Sequence, residues 1–356
     1  MVGDGSRGAK QKSAKVRVPN IEFLLLLMFV FCLGPVRAAE TKNVRIMMDW
    51  VLQATHVPFF VADERGYFKA EGLTVAIDPG KGATNTAVNV ASGVYQMGYA
   101  DLPTMIRFNA QNPASPLSTV YMSFDESPSC ILTLKSKGIR APADLDGKRI
   151  AGSPGTAIHD TISILLNAAG ATNVRINWVP VAPQLFAPML RRGEVDGLGA
   201  FTNSQIPALL ELGFKMDELS LMKYSDFGAN LYGLGLVVTK KFADENPEAV
   251  RGLVRAFNRG LKDTIANPDK ALELMKSRDS LMKMETERLR LQIVLGHTVT
   301  PHVAQHGLSS VTPERLKQSI DATVSAYQLS RSPEPATVYT EKFLPSAAER
   351  MLPKGK

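Results

Sequence analysis

The spacing of apolar positions changes period twice within one short stretch. Val44, Ile46 and Met48 alternate with Arg45 and Met47, which predicts a strand that breaks at Asp49-Trp50. Val57, Phe60, Val61, Glu64 and Phe68 then recur at helical spacing, stopped by Gly66 and Gly72, before Leu73, Val75 and Ile77 alternate again. Strand, helix and strand in that order form a βαβ unit, which implies a parallel, doubly wound sheet. Ligands of such sheets sit beyond the carboxyl ends of the strands. Asp49, Trp50, Gln53 and His56 occupy that position after the first strand. A tryptophan flanked by an acid and an amide can stack on and hydrogen-bond a flat heteroaromatic molecule. The competing reading is that Trp50 plugs the core.

Further along, PGKGATNTAVNVASG reads as a glycine turn and a helix, with Ala87, Val88 and Val90 facing inward and Gly93 closing it. The turn from Lys81 to Thr84, including Gly82, is expected to bring backbone N–H groups to the cleft. QMGYAD is a strand ending at Asp101, and Pro103 suits the start of the next helix. Asp101 or Thr104 either reaches a ligand there, or the acid caps the helix. STVYMSFDESPSCILTLKSKGI reads as a pair of strands around a turn holding Ser127 and Ser129, two further candidates. The first crossover between domains is placed just after this pair. KRIAG, SPGT and AIHDTISILLNAAG then supply a strand, a turn and a helix ended by Gly170, and His159 falls in the first turns of that helix. VRINWVPV is another strand, and APQLFAPMLRRGEVDGLGAF a helix followed by a strand. The remainder is helical, with Pro247 at a start, Asn267-Pro268 at a break and Thr312-Pro313-Glu314 at a last start. These helices are expected to cover the first domain from outside.

A chain of 356 residues, 45% of them hydrophobic, can fill two cores and is not disordered. The formal net charge is +7. Setting aside residues 1–38 leaves 35 Lys and Arg against 32 acids, a mild +3 with no basic, aromatic-laced run suited to nucleic acid. Those first residues have a basic region from Arg7 to Arg17, the apolar run IEFLLLLMFVFCLG and VRA-A ending at Ala38 or Ala39. This is the layout of a secretory signal peptide, and the run is short for a membrane span; a single-pass anchor is the alternative. Cys32 lacks the small residues that precede a lipidated cysteine. Cleavage would leave Cys130 alone, so the mature chain has no internal disulfide to rely on. The sequence contains no GxSxG, HExxH, GxxxxGK[ST] or CxxC, and no GxGxxG before a helix, which together weigh against an enzyme. His297, His302 and His306 invite a metal reading, but no carboxylate or cysteine stands at a matching offset. A solvated or capping cluster is expected.

Asp49-Trp50 followed by His56, then GYFKAEGL, a glycine-bearing turn and VASGVYQMGYAD, resemble the periplasmic solute-binding proteins of ABC importers for taurine, nitrate, riboflavin and thiamine-pyrimidine precursors. The pattern is most like the pyrimidine-precursor group, whose first loop has the same Asp-Trp followed by a His. The resemblance runs from about Val44 to about Pro345. It implies an α/β, two-domain periplasmic binding protein of type II, each domain a mainly parallel sheet flanked by helices, joined by two crossovers near residues 135 and 230. The corresponding division is a signal peptide at 1–38, a first domain at 43–135 and 231–348, and a second at 136–230. DLDGKRIAGSPGT is similar to the segment by which the family presents the second domain's helix N-terminus, here Gly155 and Thr156, to the solute; the exposed N–H groups suit a carboxylate, sulfonate or polar ring substituent. A plain connection is the alternative. GEVDGLGAF resembles the family's strand leading to the cleft, which points to Phe201, Thr202 and Asn203. Phe201 either stacks opposite Trp50 or packs in the core. The return crossover resembles the family's Asp-aromatic-Gly and Tyr-Gly, here Asp226, Phe227, Gly228, Tyr232 and Gly233. The resemblance makes His56 a better candidate than His159. It also implies a monomer without cofactor or metal, whose partners are a small solute and a membrane permease. An anion-binding cleft should carry Arg or Lys on these loops, where Lys81 is the obvious candidate. Yeast relatives that synthesise the pyrimidine are enzymes with a cysteine-rich motif, and an enzyme here would need a lysine-linked cofactor or bound iron. A sensor domain serving a kinase or cyclase is a third class.

Overall fold

Ten strands sort into two five-stranded sheets in the computed structural model, which describes residues 1–5, 8 and 41–353. The expected signal peptide therefore lies almost wholly outside the described residues. Among those residues no helix is long and apolar enough to cross a membrane. Met1–Glu40 and Thr41–Lys356 are separate units, and all that follows concerns the second.

The first sheet has the order β2-β1-β3-β10-β4, from β1 Lys42–Met47, β2 Leu73–Asp78, β3 Met97–Asp101, β4 Leu117–Met122 and β10 Leu234–Thr239. The second repeats it as β7-β6-β8-β5-β9, from β5 Ser129–Leu134, β6 Arg149–Ala151, β7 Asn177–Val179, β8 Gly197–Phe201 and β9 Leu219–Lys223. In each sheet one strand opposes the rest: β10 pairs antiparallel with β3 and β4, and β5 with β8 and β9. Each is the first strand after the chain changes lobe. A chain that crosses at the carboxyl edge of one sheet enters the other at its carboxyl edge, and so must run backwards through it.

The principal helices are α1 Val57–Glu64, α2 Ala83–Ala91, α3 Leu102–Gln111, α4 Ala157–Ala168, α5 Phe186–Arg191, α6 Thr202–Glu211, α7 Pro247–Ala266, α8 Pro268–Lys276, α9 Met284–Thr298 and α10 Pro313–Tyr327. Ile46, Met48, Phe59 and Phe257 are among the core residues of the first lobe, and Ile131, Ile150 and Leu165 of the second.

Three expectations are corrected here. Strand β5 belongs to the second sheet, so the first crossover runs through 123–128 rather than after residue 134. STVYM and CILTL around DESPS have the alternation and turn residues of a hairpin, and periodicity alone does not say that the turn bridges two lobes. Val88 is 52% exposed; the buried face of α2 is Ala83, Thr86, Ala87 and Val90, one helical stripe that excludes it. The C-terminal helices do not only cover the first lobe. Helix α10 sets Leu316 and Ile320 against Leu102 and Ile106 of the first lobe, and Ala322, Ala326 and Tyr327 against the core of the second. Helix α9 likewise reaches the second lobe, where His297 Nε2 lies 2.7 Å from Thr202 Oγ1. These two straps explain why Thr41–Lys356 coheres as one unit.

Candidate ligand-binding site

Four strand-to-helix junctions converge on one cavity. Asp49 and Trp50 leave β1, Gly82 and Ala83 start α2, Thr156 and Ala157 start α4, and Phe201 joins β8 to α6. Gln53, Ile158, Phe186, Gly199, Ala200, Ser204 and Gln205 complete the lining. The cavity and its mouth hold about 490 Å³ of space free of atoms, yet a water-sized sphere can centre in only about 40 Å³ of it. It is a thin slit, with Trp50 and Phe201 on opposite lobes. The lobes meet beside it through backbone: a Cβ on Gly82, whose φ is +124°, would stand 2.3 Å from the carbonyl oxygen of Gly155.

Asp49 is the one charged side chain among the described residues that line the slit, and it is held firmly. His56, fully buried, places Nε2 3.0 Å from Asp49 Oδ1, while its Nδ1 accepts from the Gln53 N–H at 3.3 Å. That donor puts the ring proton on Nε2, so neutral His56 donates to the carboxylate and orients it. Gln53 Nε2 and Asn203 Nδ2 both donate to Thr55 Oγ1, at 3.2 and 2.9 Å, which links the two lobes below the slit. Gln205 Oε1 is buried with no donor partner among the described residues.

Of the residues expected at the site, Asp49, Trp50, Gln53, Gly82, Thr156 and Phe201 line the slit. His56 and Asn203 stand directly behind the lining. Thr84, Gly155 and His159 lie in the seam between lobes: Thr84 Oγ1 donates to Asp160 Oδ2 at 2.7 Å, and His159 Nδ1 lies 2.9 Å from Asp160 Oδ1. Asp101 is the N-cap of α3, accepting from the Thr104 N–H at 3.1 Å, and burial pushes its pKa up to about 6. Ser127 bonds Ser129 Oγ at 2.9 Å in the crossover. Asp226 is exposed on a surface turn. Tyr232 is fully buried, its hydroxyl accepting from the Thr312 N–H at 2.9 Å and the Arg315 guanidinium 4.2 Å over its ring. Arg315 also donates to Asp125 Oδ1 and Leu231 O, at 3.2 and 3.1 Å, and so ties the two crossovers together. The Tyr-Gly of the return segment thus serves the hinge, and Asp101, Ser127, Asp226 and Tyr232 are set apart from the slit. His302 and His306 share a face, with rings 4.7 Å apart, while His297 pairs with Thr202. Burial, helped by the charge of Lys223, pushes the His297 pKa down to about 4.

Ile158, Phe186, Ser204 and Gln205 were missed. A signal existed for the last two, since positions three and four beyond Phe201 share its face once a helix begins there.

A family model described as NMT1/THI5 like matches residues 53–271, more than half of the chain. The chain belongs to the NMT1/THI5-like family. Among relatives of this NMT1/THI5-like chain, the formylaminopyrimidine-binding protein of Halalkalibacterium halodurans is 26% identical over 85% of the chain and 92% of its own length. The riboflavin-binding protein RibY of Chloroflexus aurantiacus is 24% identical over 94% of the chain and 99% of its own. A 4-amino-5-hydroxymethyl-2-methylpyrimidine phosphate synthase of Legionella pneumophila is 25% identical over 66% and 73%. The fold is that of periplasmic binding proteins. The alkanesulfonate-binding protein SsuA from Xanthomonas axonopodis pv. citri, solved bound to MOPS, superposes with a TM-score of 0.62 over 85% of the chain and 100% of its own, at 17% identity.

Proposed function

We propose that this NMT1/THI5-like protein is an extracytoplasmic solute receptor that clamps a small planar nitrogen heterocycle, similar to a thiamine-pyrimidine precursor, and delivers it to an ABC permease. The observation that carries the reading is the pairing, in one thin slit, of Trp50 and Phe201 from opposite lobes with the oriented carboxylate of Asp49. An aromatic face gives a flat ring its stacking surface. Asp49 accepts from an exocyclic amine, Gln205 Oε1 offers a second buried acceptor, and the N–H groups at the starts of α2, α4 and α6 suit ring nitrogens. Closure about the two crossovers would bury the solute and form the surface the permease meets. The relative that binds formylaminopyrimidine supports this solute class.

A sulfonate, carboxylate or nitrate fits less well, because among the described residues the only charge in the lining is Asp49, and Lys81 is not part of that lining. The synthase reading is weakened in the same way. Among the described residues no lysine or cysteine lines the slit, so a lysine-linked cofactor has no attachment point there. Cys130 is buried in β5, where burial pushes its thiol up to about 12.

A thermal-shift and calorimetric screen of the secreted form tests the proposal. Formylaminopyrimidine and hydroxymethylpyrimidine should raise the melting temperature, with about 2.7 kcal/mol of stabilisation at a hundredfold excess over Kd. A strong shift with taurine or nitrate and none with pyrimidines would refute the solute class. A visible absorption band in the purified protein would reopen the enzyme reading.

A further inference from the structure

Helix α6 carries Pro207 in its interior. Proline has no N–H, so the carbonyl of Asn203, four residues earlier, loses its intrahelical donor. Arg290 of α9 supplies one: its Nη1 donates to Asn203 O at 2.7 Å and to Ser204 O at 2.8 Å. Through Nε the same guanidinium donates to both carboxylate oxygens of Glu287, at 3.1 and 3.0 Å. Glu287 Oε2 in turn accepts from the backbone N–H of Ala54 at 2.6 Å. The two side chains are 8% and 11% exposed, and neither lines the slit. Ser204 belongs to the second-lobe wall, and Ala54 follows Gln53 of the first-lobe wall. One buried ion pair therefore grips the backbone of both walls from behind.

We infer that Glu287 and Arg290 are positioning residues for the ligand slit, with Arg290 replacing the donor that Pro207 lacks and Glu287 carrying the tie to the Gln53 wall. A buried guanidinium is tolerable only while its charge is paired and its other N–H groups are satisfied. Parting the walls takes carbonyl acceptors from Arg290 or the Ala54 donor from Glu287. The pair therefore favours the closed slit and slows release of what it holds. The inference takes the slit as the ligand site, as proposed above.

The test compares the wild-type chain with Arg290→Met, with Arg290→Met combined with Pro207→Ala, and with the gentler Arg290→Lys, which keeps the charge but loses the fork. Two readouts are taken well below melting: amide hydrogen exchange at Ala54 and at 204–205 in the ligand-free protein, and Kd and koff for formylaminopyrimidine. Arg290→Met should speed exchange at both segments and weaken binding at least tenfold, mostly through koff; Arg290→Lys should do the same to a smaller degree. Adding Pro207→Ala returns an N–H to the Asn203 carbonyl, so protection at 204–205 and part of the affinity should recover while Ala54 stays fast. A variant that melts earlier but keeps wild-type exchange and Kd would reduce the pair to scaffolding and overturn the inference. So would a Pro207→Ala combination that restores nothing. If the wild-type chain does not bind formylaminopyrimidine, the solute reading fails, and the exchange measurements alone still decide the positioning role.

Discussion

The first-lobe wall of the slit presents Asp49, Trp50 and Gln53, whereas the second-lobe wall is built mostly from Ala157, Ile158, Phe186, Gly199, Ala200 and Phe201, with Thr156, Ser204 and Gln205 as its polar members. In the proposed reading, one wall reads an edge by side-chain chemistry, and the other supplies an apolar surface and helix-start N–H groups. The division means that changes to the polar side chains of the first wall should alter which solute binds, while changes where the two lobes meet, or that displace the second wall, should alter whether the slit closes at all.

Gly82→Ala is the most severe test of that contrast, because a Cβ there strikes the Gly155 carbonyl and leaves a residue other than glycine at φ +124°. The lobes cannot then meet, and calorimetry should show loss of affinity for every solute, by roughly 100-fold or about 3 kcal/mol. Asp49→Asn should cost roughly 30- to 100-fold, about 2–3 kcal/mol, but only for solutes with an amine to donate. An equal loss for all solutes would erase the distinction between the walls.

His297 probes the second wall through pH, since it holds Thr202 at the start of α6. Its folded pKa of about 4 lies below the ordinary histidine value, so the unfolded chain takes up the proton first as pH falls. The stability contributed by neutral His297 is present near pH 7 and is lost between about 6.5 and 4. Asp101 acts in the opposite sense: with its folded pKa raised to about 6, it penalises the fold above that pH and relaxes as acid protonates it. Denaturant melts at pH 7.5 and pH 5 should therefore show His297→Gln losing less stability than wild type, by about 2 kcal/mol or somewhat less. The smallest effect is expected at the hinge. Tyr232→Phe leaves the Thr312 N–H without its acceptor and should cost about 1 kcal/mol in stability with solute affinity unchanged.

The first-lobe wall was the legible one. Val44, Ile46 and Met48 alternate and Val57 to Phe68 repeat at helical spacing, so the loop holding Asp49 and Trp50 could be found at a strand's carboxyl end from local pattern alone. The second wall was read poorly because tertiary closure assembles it. Ile158 and Phe186 look like ordinary core residues, and Gln205 gains meaning only once α6 is known to start at Thr202. Tyr232 was pointed to by the resemblance of Tyr232-Gly233 to the family's return crossover, and the Arg315 contacts place it at the hinge, apart from the slit's lining. Strand β5 was assigned to the first lobe because a turn that bridges two lobes and a hairpin turn use the same residues.

The chain contains two tryptophans, Trp50 in the slit and Trp178 packed over Gly152 in the second lobe. In a Trp178→Phe variant all tryptophan emission comes from Trp50, so titrating it with formylaminopyrimidine measures contact at the clamp itself. A ring seated between Trp50 and the second lobe should quench that emission saturably, with the same Kd as the heat of binding. Calorimetric binding that leaves the Trp50 emission unchanged would contradict a slit that recognises its guest by stacking.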